Sequence, residues 1–242
     1  MTPAPQSDSR PAAILPGDAH GAPLELAVTW HRAPTRAHAL VVLLPGANMT
    51  PAQFAEAGFP STLASTAPAV DLALPALTLD QLAGGAALPA LRHQLIRPAH
   101  EHGYQQVWLG GISLGGLLAL SYARQYPEEV SGLCLLAPYP GSRLTVSAVL
   151  GAGGPGCWEP TPAQAQDEEF RIWHWLGQPP ALPVFLGYGA EDRFATAMAL
   201  LGSRLPAGAV HRVPGDHDWA PWQALWRRFL GLGWLRPPAA KA

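Results

Sequence analysis

Short runs of consecutive apolar residues alternate along this chain with stretches in which apolar positions recur every three or four residues. Ala39 to Leu44 is the clearest run, a Val- and Leu-rich block that stops at Pro45-Gly46. A strand covered on both faces of a parallel sheet has this unbroken character, whereas a half-exposed strand alternates. Leu24 to Trp30, Ala69 to Leu74, Gln105 to Leu109, Gly132 to Ala137, Val184 to Tyr188 and Ala209 to Val213 are further strand candidates. Helices are predicted between them. Thr50-Pro51 opens one over Pro51 to Phe59, with Thr50 as N-cap and Pro51 at the first helical position, where a missing N–H does no harm. Leu88, Leu91, Leu95, Ile96 and Ala99 share a face of a second, from Leu88 to His102, which Gly103 ends. Leu114 to Tyr126 forms a third, stopped by Pro127, and Ala220 to Leu230 closes the pattern with a face of Trp and Leu. Strand and helix alternating in this way predict a mostly parallel, doubly wound sheet with helices on both faces.

One stretch departs from the rhythm. Gly151 to Pro180 is rich in Gly and Pro at both ends and longer than a plain crossover needs. It is read as a small cap insertion, residues 151–180, with a helix over Pro162 to Leu176 that carries Phe170, Trp173 and Trp175, and with Trp158 ahead of it. An ordinary crossover helix with aromatic packing is the alternative. The main domain is expected over residues 24–231. Residues 1–23 are expected as an N-terminal tail, polar over Met1 to Arg10, with a candidate edge strand over Ala12 to Leu15; residues 232–242 are expected as a C-terminal tail.

Composition narrows the partners. Charged residues are 13% of the 242, the formal net charge is −2, and Lys241 is the only lysine. No basic run is available for phosphate backbones or anionic lipid, so neither nucleic acid nor a membrane surface is expected as a partner. Cys134 and Cys157 are too few for a disulfide framework and lack a metal-binding spacing. Cys134 lies inside an apolar run and reads as a small core residue. Met1 to Pro16 lacks a basic start followed by an apolar core, and no apolar stretch approaches the roughly 18 to 20 residues of a membrane span. A cytoplasmic location is the expectation.

The chemistry concentrates in four loops. Gly111-Ile112-Ser113-Leu114-Gly115 follows a predicted strand and runs straight into a predicted helix. A serine on so tight a turn stands clear of the sheet at a helix N-terminus, and the glycines remove side chains that would collide with strand and helix. A Gly-rich turn with an incidental serine is the plainer alternative. A serine hydroxyl needs a base, and His217 follows the last strand candidate, in Pro214-Gly215-Asp216-His217-Asp218-Trp219. The base in turn needs a carboxylate, and Asp192 follows the strand Val184 to Tyr188, with Glu191 as runner-up. Asp216 and Asp218 are sequence neighbours of His217 and poorly placed to reach its ring. The backbone N–H of Leu114 is a candidate oxyanion donor, and Ala47, in Pro45-Gly46-Ala47-Asn48, is the second. Asn48, Tyr139, Trp158 and Trp173 are candidate substrate contacts. Arg143 and Arg193 are candidates for an acidic substituent, with salt bridges as the plainer role.

Together these segments resemble the α/β-hydrolase superfamily over roughly Leu24 to Leu230, and within it a group of small bacterial hydrolases. The motifs that carry the resemblance are Leu44 to Ala47, Gly111 to Gly116, Gly187 to Phe194 and Gly215 to Trp219. One departure is Pro45-Gly46, where many members of the superfamily begin the oxyanion loop with His-Gly. The resemblance implies the α/β-hydrolase fold and esterase-type activity on a small-molecule ester or thioester. Ser113 would be nucleophile, His217 base and Asp192 its orienting acid, with no metal or organic cofactor. Acyl transfer to an acceptor other than water, and a catalytically inactive binding protein on the same fold, are the alternatives.

Overall fold

The computed structural model describes residues 24–83 and 85–237, so the expected tail of Met1 to Arg10 and the strand expected over Ala12 to Leu15 lie outside it. Among the described residues seven strands form one sheet: β1 (Val28–His31), β2 (Ala39–Leu44), β3 (Val70–Pro75), β4 (Gln106–Ile112), β5 (Gly132–Leu136), β6 (Val184–Gly189) and β7 (Val210–Val213). Their spatial order is β1-β3-β2-β4-β5-β6-β7; β1 runs antiparallel to β3 and all other neighbours are parallel. Every residue of β2, β3, β5 and β6 is buried. Helices cover both faces, so no position alternates outward, and the strands read as unbroken apolar runs.

Ten α-helical segments accompany the sheet: α1 (Pro51–Glu56), α2 (Phe59–Thr66), α3 (Leu79–Ala83), α4 (Ala87–Leu91), α5 (Arg97–Glu101), α6 (Leu114–Gln125), α7 (Arg143–Gly151), α8 (Glu168–Trp175), α9 (Ala195–Gly202) and α10 (Trp219–Gly231). The helix expected over Pro51 to Phe59 is two helices. Gly58 turns left-handed (φ 77°) and α2 starts afresh at Phe59-Pro60. The Ser and Thr hydroxyls of α2 bond its own turns, as in Thr62 Oγ1 to Gly58 O at 2.8 Å. The helix expected from Leu88 to His102 is present, but a turn of π-helix over Arg92–Ile96 joins α4 to α5. Pro98 has no N–H to return to Gln94, and the wider turn absorbs the missing rung.

The amphipathic face of α10 buries Trp222, Leu225, Trp226, Phe229 and Leu230. Trp226 stacks on Phe59 at 5.5 Å and donates its indole N–H to the Phe59 carbonyl at 3.0 Å, which ties α10 to α2. Residues 232–237, expected as tail, pack against the core: Trp234 stacks on Trp108 at 5.6 Å, and the Leu235 carbonyl bonds His38 Nε2 at 2.8 Å. Cys134 is buried in β5, and burial pushes its thiol well above the usual range, as a packing residue requires. No helix among the described residues is long and apolar enough to cross a membrane.

One carboxylate is buried in the sheet. Asp71 of β3 accepts hydrogen bonds from Tyr104 Oη (2.5 Å), Ala33 N (2.7 Å) and Arg32 Nη1 (2.8 Å). Burial acts to raise its pKa, but the Tyr104 hydroxyl, the Ala33 N–H and Arg32 outweigh it and hold the carboxyl below its ordinary 3.8. A group lowered in this way stabilises the fold above its unfolded pKa and loses that contribution as pH falls through the native one. Asp71→Asn is therefore expected to lower the urea midpoint at neutral pH and to flatten its decline on acidification below about pH 4. Urea titrations across that range check this; equal acid slopes in wild type and variant would contradict it.

Candidate active site

The centre of the site is a backbone reversal at the end of β4. Ser113 takes φ 52° and ψ −117°, a conformation a side chain adopts only under external restraint. That restraint is a set of hydrogen bonds. Ser113 N donates to Leu136 O at 3.2 Å, while Ser113 O accepts from the amides of Gly116 (2.9 Å), Leu117 (3.2 Å) and Tyr139 (2.8 Å). The flanking glycines answer to packing. A Cβ on Gly111 would overlap the Gly115 carbonyl, and one on Gly115 would overlap the Leu44 carbonyl. On Gly116 it would stand 2.7 Å from Pro138 Cβ. Two other non-glycine residues among those described have positive φ, Asn48 (58°) and Ala137 (45°). They follow β2 and β5, the two strands that flank β4. The strained backbone thus gathers at the carboxyl edge of the central strands, beside the topological switch between β2 and β4.

Two loops further along the sheet bring in the ionisable groups. Asp192 follows β6, is 4% exposed, and accepts from His217 Nδ1 at 2.6 Å through Oδ2 and from Phe194 N at 2.8 Å through Oδ1. Both oxygens of this carboxylate are therefore directed, one of them at the imidazole. Glu191 is exposed and its carboxylate accepts from Gly215 N, so it holds the His217 loop rather than the ring. Asp216 accepts from His217 N at 2.7 Å, and Asp218 caps α10 by accepting from Ala220 N at 3.1 Å; neither turns to the imidazole. The His217 ring is clamped edge-to-face by Phe194 (5.6 Å) and Trp222 (5.2 Å). Phe194 in turn meets Tyr139 at 5.5 Å, and the Tyr139 amide is bonded to Ser113, so a continuous chain of contacts links serine, aromatic wall, imidazole and carboxylate. Among the described residues, the Ser113 hydroxyl makes no hydrogen bond to the ring and His217 Nε2 has no hydrogen-bond partner.

The loop after β2 faces the same point. The position of a Gly46 Cβ lies 3.4 Å from Ser113 Cβ, and Gly46 N donates to Met49 Sδ at 3.1 Å. Ala47 and Asn48 are exposed beyond it. Among the described residues, the N–H groups of Ala47 and Leu114 donate to no carbonyl. Two clefts meet at Tyr139. One, about 930 Å³, runs along α6 and is lined by Leu82, Leu88, Leu114, Leu117 and Ile172, with acidic side chains of α8 at its margin. The other, about 490 Å³, is lined by Arg143, Val146, Arg193, Phe194 and Ala197. Burial, then the Glu169 carboxylate, raises the Tyr139 phenol above its ordinary value, so it stands between the clefts as a neutral hydroxyl.

Trp158 and Trp173, candidates for substrate contact, are placed in packing. Trp158 stacks on Phe170 at 5.5 Å, and Trp173, 1% exposed, donates its indole N–H to Pro140 O at 2.7 Å. Neither ring has a face open to a ligand. The helix expected from Pro162 starts at Glu168, because Asp167 caps it by accepting from Glu169 N at 2.8 Å. Residues that sequence reasoning passed over include Met49, Phe194 as a wall of the imidazole, and Trp222. None carries a chemical motif, and only the aromatic density after Asp192 and His217 marks them.

A family model described as the α/β hydrolase fold matches residues 100–152. No curated protein sequence matches the chain. Among solved structures, the fluorophosphonate-binding serine hydrolase FphF of Staphylococcus aureus superposes with TM-score 0.61 at 11% identity, over 88% of this chain and 100% of that one. Est1E of Butyrivibrio proteoclasticus superposes with TM-score 0.59 at 13% identity, over 88% and 95%. An S-formylglutathione hydrolase of Agrobacterium tumefaciens does so with TM-score 0.56 at 15% identity, over 87% and 90%. The chain has the α/β-hydrolase fold.

The glycine contacts at the elbow make a paired test. Gly115→Ala is expected to destabilise the protein by about 1–3 kcal/mol, because the carbonyl it would strike is backbone and cannot move aside. Gly151→Ala, where an added Cβ meets nothing within 4 Å, is expected to be neutral or stabilising by up to about 1 kcal/mol. Thermal unfolding of the two variants compares them; equal losses would undo the packing account.

Proposed function

We propose that this chain is a serine hydrolase that cleaves a carboxylic ester or thioester through an acyl-enzyme. The observation that carries the reading is the buried Asp192 carboxylate bonded to His217 Nδ1 at the sheet edge where the strained Ser113 stands. That bond leaves the neutral imidazole with its lone pair on Nε2, the tautomer a general base needs, and stabilises the imidazolium once formed. Nε2 takes the Ser113 proton as Oγ adds to the substrate carbonyl. The resulting oxyanion falls to the N–H groups of Leu114 and Ala47, at the positive end of α6. His217 then returns the proton to the departing alkoxide or thiolate, and water repeats the sequence on the acyl-serine. Proton transfer requires Ser113 Oγ and Nε2 within about 3.2 Å, a contact that tightens when substrate fills the site. None of these steps calls on a metal or organic cofactor.

Tyr139 and Asn48 are assigned to substrate contact, Tyr139 by its place between the two clefts and Asn48 by its exposure beside Ala47. The leucine-lined cleft suits an apolar acyl or alcohol portion. The structural neighbours include serine hydrolases and S-formylglutathione hydrolases, and their activities support the same class of reaction.

A fluorophosphonate probe is expected to label the folded protein at Ser113 and to leave Ser113→Ala unlabelled. Silence of the wild type in a folded sample would favour a binding protein on this fold. Asp192→Asn is expected to lower ester turnover by about 10⁴-fold with the fold intact, since an amide donating to Nδ1 imposes the wrong tautomer. Steady-state rates on p-nitrophenyl esters, with circular dichroism as a fold check, measure it; a loss under tenfold would remove Asp192 from the mechanism.

A further inference from the structure

We propose that the substrate bears a second, anionic oxygen group, and that Arg143 and Arg193 bind it in the cleft beside His217. The proposal rests on the hydrolase reading above and adds a substrate class to it. Arg143 opens α7 and Arg193 precedes α9, so two loops on either side of Tyr139 bring their guanidinium groups to one cleft of about 490 Å³ that no carboxylate lines. Among the described residues neither arginine makes an ion pair or a side-chain hydrogen bond. Arg204 and Arg227 also lack such partners among the described residues, so what distinguishes Arg143 and Arg193 is that both line one cleft.

The carboxylates nearest the cleft are already engaged. Glu169 accepts from Ser142 N and Thr145 Oγ1, both at 2.7 Å. Asp192 is directed at His217 and Phe194 N, Asp216 at His217 N, Asp218 at Ala220 N and Glu191 at Gly215 N. Arg193 is also positioned. Its guanidinium lies 4.8 Å over the Phe194 ring, and that ring is the wall of the imidazole. A guanidinium held against an aromatic ring keeps its N–H donors available to grip a carboxylate or phosphate in pairs. Arg193 also borders a depression shared with Asp216, His217 and Asp218, and Phe194, which lines the arginine cleft, packs against the His217 ring, so the cleft adjoins the imidazole.

The test compares esters that differ only in charge. p-Nitrophenyl hydrogen glutarate against its methyl ester places the anion on the acyl side; 4-butanoyloxybenzoate against its methyl ester places it on the leaving side. Wild type is expected to favour the charged member of one pair by about tenfold in kcat/KM, the size of one or two charge-assisted hydrogen bonds in a half-open cleft. The preferred pair identifies which half of the substrate fills the cleft. The preference is expected to shrink as ionic strength rises, and to fall toward one in Arg143→Gln and Arg193→Gln. Arg227→Gln, an exposed change of equal charge on α10, is expected to leave the preference at its wild-type value. Labelled Ser113 with turnover of the neutral esters and no charge preference in either pair would overturn the anion site alone. Loss of the preference in Arg227→Gln as well would overturn it too, by assigning it to overall charge. An unlabelled Ser113 with no ester turned over would overturn the hydrolase reading and this proposal together.

Discussion

The structure turns on how closely the backbone at the end of β4 must pass its neighbours. The segment from Gly111 to Gly116 lies against the Leu44 carbonyl on one side and Pro138 on the other, with no room for a Cβ at three of its six positions. This closeness lets one chain bond Ser113 from both directions, through Leu136 O and the Tyr139 amide, and hold it at a positive φ that serine would otherwise abandon. The same closeness brings the β2 loop, with Gly46 and Ala47, beside the hydroxyl. Strain at Asn48, Ser113 and Ala137 is therefore one structural event at three adjacent strand ends. The tight packing of the parallel sheet beneath them supplies the restraint.

Around that point the charges are sorted by how far water reaches them. Asp192 is sealed, and each of its oxygens has a donor, so its charge is spent on orienting His217. Asp216, Asp218 and Glu191 are more exposed and bond the amides of their own loops, which shapes the turn around the imidazole without competing for its ring. Arg143 and Arg193 remain toward solvent, free of carboxylates, next to an aromatic wall. The Asp192–His217 pair is thus dry on its carboxylate side with two cations toward solvent, an electrostatically asymmetric arrangement.

Much of this was legible along the chain. The buried strands announce themselves as runs of Val, Leu and Ala, because a parallel strand with helices on both faces has no polar side to show. Ser113, Asp192 and His217 stand out as candidates because each comes within a few residues of a strand end, at the edge where loops of this sheet converge. The parts that stayed hidden share a cause. The hydroxyl-rich α2 carries no apolar periodicity to announce it, and its Ser and Thr side chains fold back on carbonyls of its own turns. The Trp residues of 151–180 look like a ligand surface until Pro140 accepts the Trp173 indole and Phe170 covers Trp158. Exposure of an aromatic ring is a property of its neighbours, and those neighbours come from distant segments.

Local pattern thus carried the strand and helix alternation, the serine at a strand-to-helix turn, and the order in which acid and base follow it. These depend on residue type and spacing within a few residues, where chain geometry leaves few choices. That Asp192, already preferred to Glu191 by its position, turns its carboxylate to His217, the walls set against His217 by Phe194 and Trp222, and the sharing of one cleft by Arg143 and Arg193 were set by contacts between segments tens of residues apart. Adjacent carboxylates differ only in which way the backbone turns them, and arginines 50 positions apart share a cleft only because β5 and β6 are neighbours in the sheet. Direction and long-range proximity belong to the packed molecule, since they arise when the sheet closes and every loop must find room at one edge.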